Sequence, residues 1–199
     1  MSASTRLALL CLVSLLLHHR SAIGDERNEI VDRAVTMPTR GICAHRGASD
    51  THPENTLAAF HEAVRLGAHM IEFDVALSKD GKLVLTHDTT VDRTTNGKGP
   101  ISQLTLEELK SLDAGSWKGD RFKGQRIPTL DEALTVMPDN IWLNVHLKGD
   151  AKLAEKVSKY IVAHDRLHQA FLACSAEAAR AAKRVDPRRT VSWPAVRLH

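Results

Sequence analysis

The sequence predicts an α/β fold of the (β/α)8 barrel type, carried as far as about the first five strands. Short apolar runs alternate with amphipathic stretches, which is typical of parallel strands joined by helices. The polar residues of chemical interest follow the apolar runs, at the strand ends where such a barrel keeps its active site. A full barrel needs ~250 residues, whereas this chain has 199. We therefore expect an incomplete barrel.

The composition is that of a single globular domain. Apolar residues make up 43% of the chain, which is enough for a substantial core. The chain has 27 basic and 24 acidic residues, so its net charge gives no reason to expect a nucleic acid or an anionic membrane. We predict no nucleic-acid partner.

The N-terminus has the pattern of a secretory signal. Arg6 provides a basic start, residues 7–17 are almost entirely apolar, and small residues precede a polar segment that begins at Asp25. The apolar run is shorter than the ~20 residues that a membrane span needs. We expect a signal peptide over residues 1–24, a leader over residues 25–40, and a secreted or periplasmic product with no stable membrane span.

The first structural unit is a strand followed by a helix. Residues 41–44 form a short apolar run that stops at a His-Arg-Gly turn. Asn55 then opens a helix, in which residues 56–66 place apolar side chains at a period near 3.6 before Gly67 ends it. Glu54 and Asn55 are also residue types that favour a helix N-terminus, so a purely structural role stays open for both.

The next unit is an alternating strand that carries two carboxylates. Over residues 70–77 one face is apolar, and Glu72 and Asp74 lie on the other. Carboxylates in such a setting are costly unless positive charge holds them. They can share one cation, and their oxygens suit Ca²⁺ or Mg²⁺; a solvated strand face is the alternative. After a turn, residues 82–86 form a further short strand that leads into His87.

The middle of the chain does not follow the alternating pattern of strands and helices. Residues 89–128 are rich in turn residues, and a capping box at Thr105 starts a short helix within them. A second capping box at Thr129 opens a helix that Pro138 ends. We interpret residues 89–128 as an insertion in a domain that spans residues 41–199.

The last third returns to alternating strands and helices. Residues 141–148 form a strand with His146 and Lys148 on one face. The remaining predicted elements are a helix over residues 151–164, a strand over 171–175, a helix over 176–184 and a strand over 190–193. This order is that of an α/β fold.

Two histidines and two basic residues complete the candidate site. His45 and His87 each follow an apolar strand, and such a pair can supply both acid and base for a displacement at phosphorus. A single histidine is more often structural, but the pair together with the carboxylates favours catalysis. Arg46 and Lys148 could neutralise a phosphate, although an isolated basic residue is usually surface charge.

Five motifs in this order resemble the glycerophosphodiester phosphodiesterase family. They are His45-Arg46-Gly47, Pro53-Glu54-Asn55-Thr56, Glu72-x-Asp74, His87-Asp88 and Arg93-Thr94-Thr95-Asn96-Gly97. The resemblance runs over residues 41–193. It implies a TIM-barrel enzyme that cleaves a small-molecule glycerophosphodiester to glycerol 3-phosphate and an alcohol.

The resemblance also implies roles for individual residues. His45 and His87 match the family's general acid and base. The matched metal ligands are Glu72 and Asp74, and the matched phosphate contacts are Arg46 and Lys148. In the family's chemistry a neighbouring hydroxyl of the substrate attacks phosphorus and forms a cyclic phosphate intermediate. No serine or cysteine nucleophile is therefore expected.

The chain departs from the family pattern at His146. The family has a third metal-binding glutamate there, and an imidazole in its place removes a negative charge and shifts the preference from Ca²⁺ or Mg²⁺ towards Mn²⁺ or Zn²⁺. The sequence is compatible both with a metal site adapted to histidine and with a degraded metal site.

The alternatives to the enzyme are a catalytically weakened or inactive remnant that binds phosphate esters, and a related lysophospholipid phosphodiesterase. Open barrel edges would favour an oligomer.

Overall fold

The computed structural model describes residues 35–36, 38–188 and 190–192 of the chain. The predicted signal peptide, residues 1–24, and most of the predicted leader, residues 25–40, lie outside the described residues. Within the described ranges, no helix has the length and the apolar character that a membrane crossing requires.

The sheet confirms the predicted α/β class and its five barrel strands. The strands are β1 (Cys43–His45), β2 (Met70–Leu77), β3 (Leu83–Leu85), β4 (Trp142–Leu147), β5 (Ala170–Ala173) and β6 (Thr190–Ser192). Their order is β1-β2-β4-β5-β6, and each neighbouring pair along this path is parallel. In the described chain this sheet is an open arc, not a closed barrel, with β1 and β6 at its edges.

Helices connect the parallel strands. They are α1 (Leu57–Arg65), α2 (Leu106–Ser111), α3 (Leu130–Val136), α4 (Ala151–Ala163) and α5 (Ala176–Val185), with short 3₁₀ turns at Ile101–Gln103 and Asp120–Phe122. Both predicted capping boxes are confirmed. Thr105 and Thr129 each accept a backbone N–H with the hydroxyl, and the glutamate three residues later accepts the backbone N–H of the threonine.

The start of α1 differs from the prediction that Asn55 opens the helix. Thr56 is the cap, since its hydroxyl accepts the backbone N–H of Ala59 at 3.3 Å. Asn55 instead has a φ of 55°, a left-handed conformation that asparagine tolerates better than most side chains. Gly67 ends the helix as predicted, with a φ of 74°.

Strand β3 is a hairpin partner of β2. It pairs with β2 in the antiparallel sense, with Val75 opposite Leu85 and Ala76 opposite Val84. It therefore does not contribute a parallel barrel strand. It leads directly into residues 89–128, the predicted insertion, hereafter the excursion. The boundaries of β5 also differ slightly, because this strand begins at Ala170, one residue before the predicted start.

Two apolar clusters hold the sheet in place. The larger includes the predicted apolar face of β2 together with α1, α3, α4 and α5: Phe60, Ile71, Phe73, Val75, Leu130, Leu143, Leu153, Ile161 and Ala178 are among its buried members. The smaller joins Ala76 of β2 and Val84 of β3 to Val91, Ile101 and Leu109 of the excursion. The excursion is thus packed on the sheet with a small core of its own.

Candidate active site

The strand register places the predicted site residues side by side. His45 is opposite Glu72 in the pairing of β1 with β2, and Asp74 is opposite His146 in the pairing of β2 with β4. Residues two apart on a strand share a face, so Glu72 and Asp74 point to the same side of the sheet. Lys148 follows the end of β4. Three separate segments of sequence therefore meet at one end of the sheet.

Asp74 is fully buried and surrounded by donors. Its Oδ2 accepts a hydrogen bond from Asn55 Nδ2 at 2.9 Å, and its backbone N–H donates to Asn55 Oδ1 at 3.1 Å. Lys148 Nζ lies 3.2 Å from Asp74 Oδ1, and Arg46 Nε lies 3.4 Å from Asp74 Oδ2. These positively charged side chains offset the free-energy cost of burying the carboxylate.

The turn after β1 aims a backbone donor at Glu72. Arg46 has a φ of 57°, and its N–H donates to Glu72 Oε2 at 3.0 Å. His45 Nε2 lies 3.9 Å from the same oxygen. Gly47 completes the turn with a φ of 77°, and a Cβ there would lie 2.8 Å from the carbonyl carbon of Ala59. This close approach of α1 to the turn requires glycine.

Glu72, Asp74 and His146 form a candidate metal centre. One donor atom from each lies within 4.8 Å of the others, and His146 Nδ1 is 3.4 Å from both Glu72 Oε1 and Asp74 Oδ1. Asp74 Oδ1 is buried, and its partners among the described residues are the ion pairs with Lys148 and His146 and no hydrogen bond. Two carboxylates and an imidazole are a donor set for a divalent cation, so the residues present fit such an ion.

His87 lies in a second cluster, with residues from the start of the excursion. Its Nδ1 is 2.7 Å from Asp88 Oδ1. Arg93 donates from Nε to Asp88 Oδ2 at 2.7 Å and from a terminal nitrogen to Glu54 Oε1 at 2.8 Å. Glu54 also accepts from Arg46 at 2.9 Å, which joins this cluster to the β1 turn.

The charges in this second cluster alter two pKa values. Burial alone would raise the pKa of Glu54, but hydrogen bonds from Arg93 and the positive charges of Arg46 and Arg93 outweigh it and lower the pKa. Hydrogen bonds from Arg93, and then from His87, hold the pKa of Asp88 well below its usual range. Both carboxylates are therefore ionised at neutral pH.

Sequence reasoning missed Arg93 and Asp88 as members of the site. Both stand inside segments that carried the family resemblance, so those segments held the signal. The predicted residues that the structure joins by direct contact are His45, Arg46, Glu54, Asn55, Glu72, Asp74, His146 and Lys148. His87 connects to them through Asp88, Arg93 and Glu54.

Comparison with known proteins identifies the family of this site. The model of the glycerophosphoryl diester phosphodiesterase family matches residues 45–193. A glycerophosphodiester phosphodiesterase of Caldanaerobacter subterraneus is 49% identical over 122 residues, which are 61% of this chain and 50% of that protein. The chain spans about half the length of the curated relatives that it matches.

Solved structures share the fold. A glycerophosphodiester phosphodiesterase from Agrobacterium tumefaciens is 36% identical with a TM-score of 0.71, over 77% of this chain and 66% of that one. A phosphodiesterase from Oleispira antarctica, solved in complex with the product sn-glycerol-3-phosphate, is 38% identical with a TM-score of 0.70, over 77% of this chain and 65% of that one. Since the family match begins at His45 and covers most of the described chain, this protein belongs to the glycerophosphoryl diester phosphodiesterase family.

Proposed function

We propose that the chain hydrolyses glycerophosphodiesters to glycerol 3-phosphate and an alcohol, with a divalent cation as cofactor. The observation that carries this proposal is the buried pair Glu72 and Asp74 with His146 beside it and with Arg46 and Lys148 around it. Such a centre is built for an anionic phosphate ester and a cation together. Family membership supports the substrate class.

His45 and His87 carry the two proton transfers. One histidine takes the proton from the glycerol hydroxyl next to the phosphate as that oxygen bonds to phosphorus. The other gives a proton to the oxygen of the departing alcohol as its bond to phosphorus breaks. The cyclic phosphate then reacts with water through the same pair of histidines in reversed roles, which gives glycerol 3-phosphate.

Arg46 and Lys148 bind the phosphate group. Both side chains already lie against Asp74, so their charges are directed at the place where the carboxylates and the substrate meet. A divalent cation held by Glu72, Asp74 and His146 would add positive charge that stabilises the phosphoryl oxygens. The two carboxylates suit Ca²⁺ or Mg²⁺, and the imidazole makes Mn²⁺ or Zn²⁺ acceptable as well.

The first experiment is hydrolysis of glycerophosphocholine by the chain that begins at Asp25, with each of these four cations and with a chelator. We expect metal-dependent release of glycerol 3-phosphate, and a kcat ~10²–10⁴-fold lower for His87→Ala because a proton-transfer group is lost. The matched control is His61→Ala, which removes an exposed histidine of α1. Turnover by His87→Ala at the parent rate would refute the role of His87. A lysophospholipid assayed in parallel tests the related lipid phosphodiesterase.

A second candidate function, binding of phosphate esters without turnover, is favoured by the open sheet of the described chain. His146→Glu separates the two. A gain of activity on this substitution indicates a metal site that His146 has damaged, whereas a loss indicates a site adapted to histidine. Absence of release with every metal, from folded protein, would favour the binding function.

We also propose that the mature protein is secreted or periplasmic, on the basis of the basic and apolar pattern that precedes Asp25. N-terminal sequencing of the product exported by a bacterial host should begin at or near Asp25. An unprocessed N-terminus on protein that stays inside the cell would contradict this.

A further inference from the structure

Arg93 joins two carboxylates that come from distant parts of the chain. It donates to Glu54, which is 39 residues away in sequence, through Nη1 at 2.9 Å and Nη2 at 2.8 Å. It donates to Asp88 through Nε at 2.7 Å and Nη2 at 3.2 Å. One guanidinium therefore links the loop before α1 to the loop after β3. Glu54, Arg93 and Asp88 together form this link, the Arg93 clamp.

The geometry argues against a role for Arg93 in phosphate binding. A guanidinium has five N–H donors, and four of them are used by Glu54 and Asp88. Its central carbon also lies over the ring of Trp117, 6.0 Å from the ring centre. Arg93 is thus bound to the protein, whereas Arg46 lies against the candidate metal centre.

The clamp determines what His87 can do. Asp88 is ionised, so its oxygens can only accept hydrogen bonds. The contact of 2.7 Å between His87 Nδ1 and Asp88 Oδ1 therefore requires the proton of a neutral imidazole to sit on Nδ1. This leaves the lone pair of Nε2 for a proton transfer.

We propose that Arg93 is a positioning residue that fixes the tautomer and direction of His87 through Asp88, and that Glu54 anchors the clamp to the β1 turn. The inference rests on the proposed function only for the catalytic role of His87. The anchor is continuous, since Glu54 accepts from Arg46 at 2.9 Å and the Arg46 N–H donates to Glu72 at 3.0 Å. The clamp thereby sets His87 relative to the carboxylates of β2.

The test is the tautomer of His87 in the full chain, read from long-range ¹H–¹⁵N spectra under conditions in which those spectra show a neutral ring. His87→Gln identifies the signals of His87 by their loss. We expect the Nδ1-protonated form in the parent and a mixture of both tautomers in Arg93→Met. The matched control is Arg126→Met, because Arg126 lies in the same excursion and donates to the Ser111 carbonyl instead. It should leave the tautomer unchanged.

Arg93→Lys covers the case in which Arg93→Met does not fold. Lysine keeps the charge but lacks the planar fork that reaches both carboxylates, so an intermediate mixture is expected. An unchanged Nδ1-protonated form in either folded Arg93 variant, or an Nε2-protonated form in the parent, overturns the proposal.

Kinetics give a second and separate result. We expect Arg93→Met to lower kcat about 10–100-fold with KM nearly unchanged, because four of the five donors of Arg93 are held by Glu54 and Asp88. In the Asp88→Ala background, Arg93→Met should lower kcat no further, since Arg93 acts through Asp88. A full additional loss in that background would overturn the proposal. Absence of all hydrolysis would count against the proposed function alone, because the tautomer still decides the role of Arg93.

Discussion

Asp74 keeps a carboxylate in a fully buried position, and Asn55 is the neutral side chain that supports it. The amide of Asn55 donates to the carboxylate of Asp74 and accepts the backbone N–H of the same residue. It thus pairs with Asp74 as a neighbouring peptide group would. Its left-handed backbone, with a φ of 55°, is what turns the amide towards β2.

Asn55→Ala should destabilise the protein by about 3 kcal/mol. The substitution leaves the buried Asp74 N–H without its acceptor, and alanine is strained in the left-handed conformation. Urea denaturation measures the loss. Asn140→Ala, in an exposed turn, is the control and should change stability by no more than about 0.5 kcal/mol. A loss below about 1 kcal/mol for Asn55→Ala would show that the two hydrogen bonds between Asn55 and Asp74 contribute little to stability.

Acid should weaken the Arg93 clamp. The pKa values of Glu54 and Asp88 are lowered in the folded protein, so both groups bind fewer protons there than in the unfolded chain. Their stabilisation is complete above the ordinary values of ~4.3 and ~3.9 and is lost as the pH falls from there towards the lowered values. Denaturation from pH 7 to pH 3 should show this decline.

Arg93→Met should make the same decline shallower, because the pKa values of Glu54 and Asp88 return towards their ordinary range. Arg126→Met controls for the loss of a positive charge from the excursion and should keep the slope of the parent. Equal slopes for Arg93→Met and the parent would mean that the clamp contributes nothing to the pH dependence.

These residues also show where sequence reasoning stops. Glu72 and Asp74 could be predicted because their spacing on an alternating strand fixes a common face. Asn55 could not be separated from an ordinary helix start, since its role depends on a contact with Asp74 on β2. Arg93 was not predicted as a site residue because its partner Glu54 is 39 positions away, and no local pattern reports such a pair.

The link between β1 and α1 sets the geometry of the site at the scale of elements. The turn at Arg46 and Gly47 packs so closely on α1 that the backbone of Ala59 occupies the space of a Gly47 side chain. The same turn directs the Arg46 N–H to Glu72. A shift of α1 would therefore move a donor of the carboxylate pair.

Gly47→Ala should cost clearly more stability than Gly67→Ala. Both glycines have a positive φ, 77° and 74°, so both substitutions carry a similar backbone strain of about 1–2 kcal/mol. A Cβ at Gly67 has no atom within 4 Å, whereas one at Gly47 has the Ala59 carbonyl carbon at 2.8 Å. The difference in unfolding free energy, measured in urea, isolates this contact. Equal losses would show that α1 moves away without cost.

Elements with a strong local pattern were predicted well. The alternation in β2 and the two capping boxes follow from side-chain chemistry within a few residues, and the structure confirms them. The antiparallel pairing of β3 with β2 was not predicted, although residues 78–82 are too short a connection for a parallel crossover. Its partner is decided by the turn at Gly81, with a φ of 72°, and by packing under the excursion.

At the scale of the whole molecule, cation binding should raise thermal stability. An ion that binds only the folded chain stabilises it by about 2.7 kcal/mol at a hundred times its Kd, which is about 5–10 °C in Tm for a domain of this size. Thermal denaturation with Mn²⁺ or Zn²⁺ measures the rise. It should be smaller in His146→Ala and unchanged in His61→Ala. An equal rise in His146→Ala would remove His146 from the ligand set.

The open arc of the described sheet has a consequence for assembly. Strands β1 and β6 each pair with one neighbour and leave a row of peptide groups at the edge. Such edges are templates for a further strand. A strand supplied by another polypeptide would accordingly extend the described sheet at β1 or β6, through hydrogen bonds of the main chain.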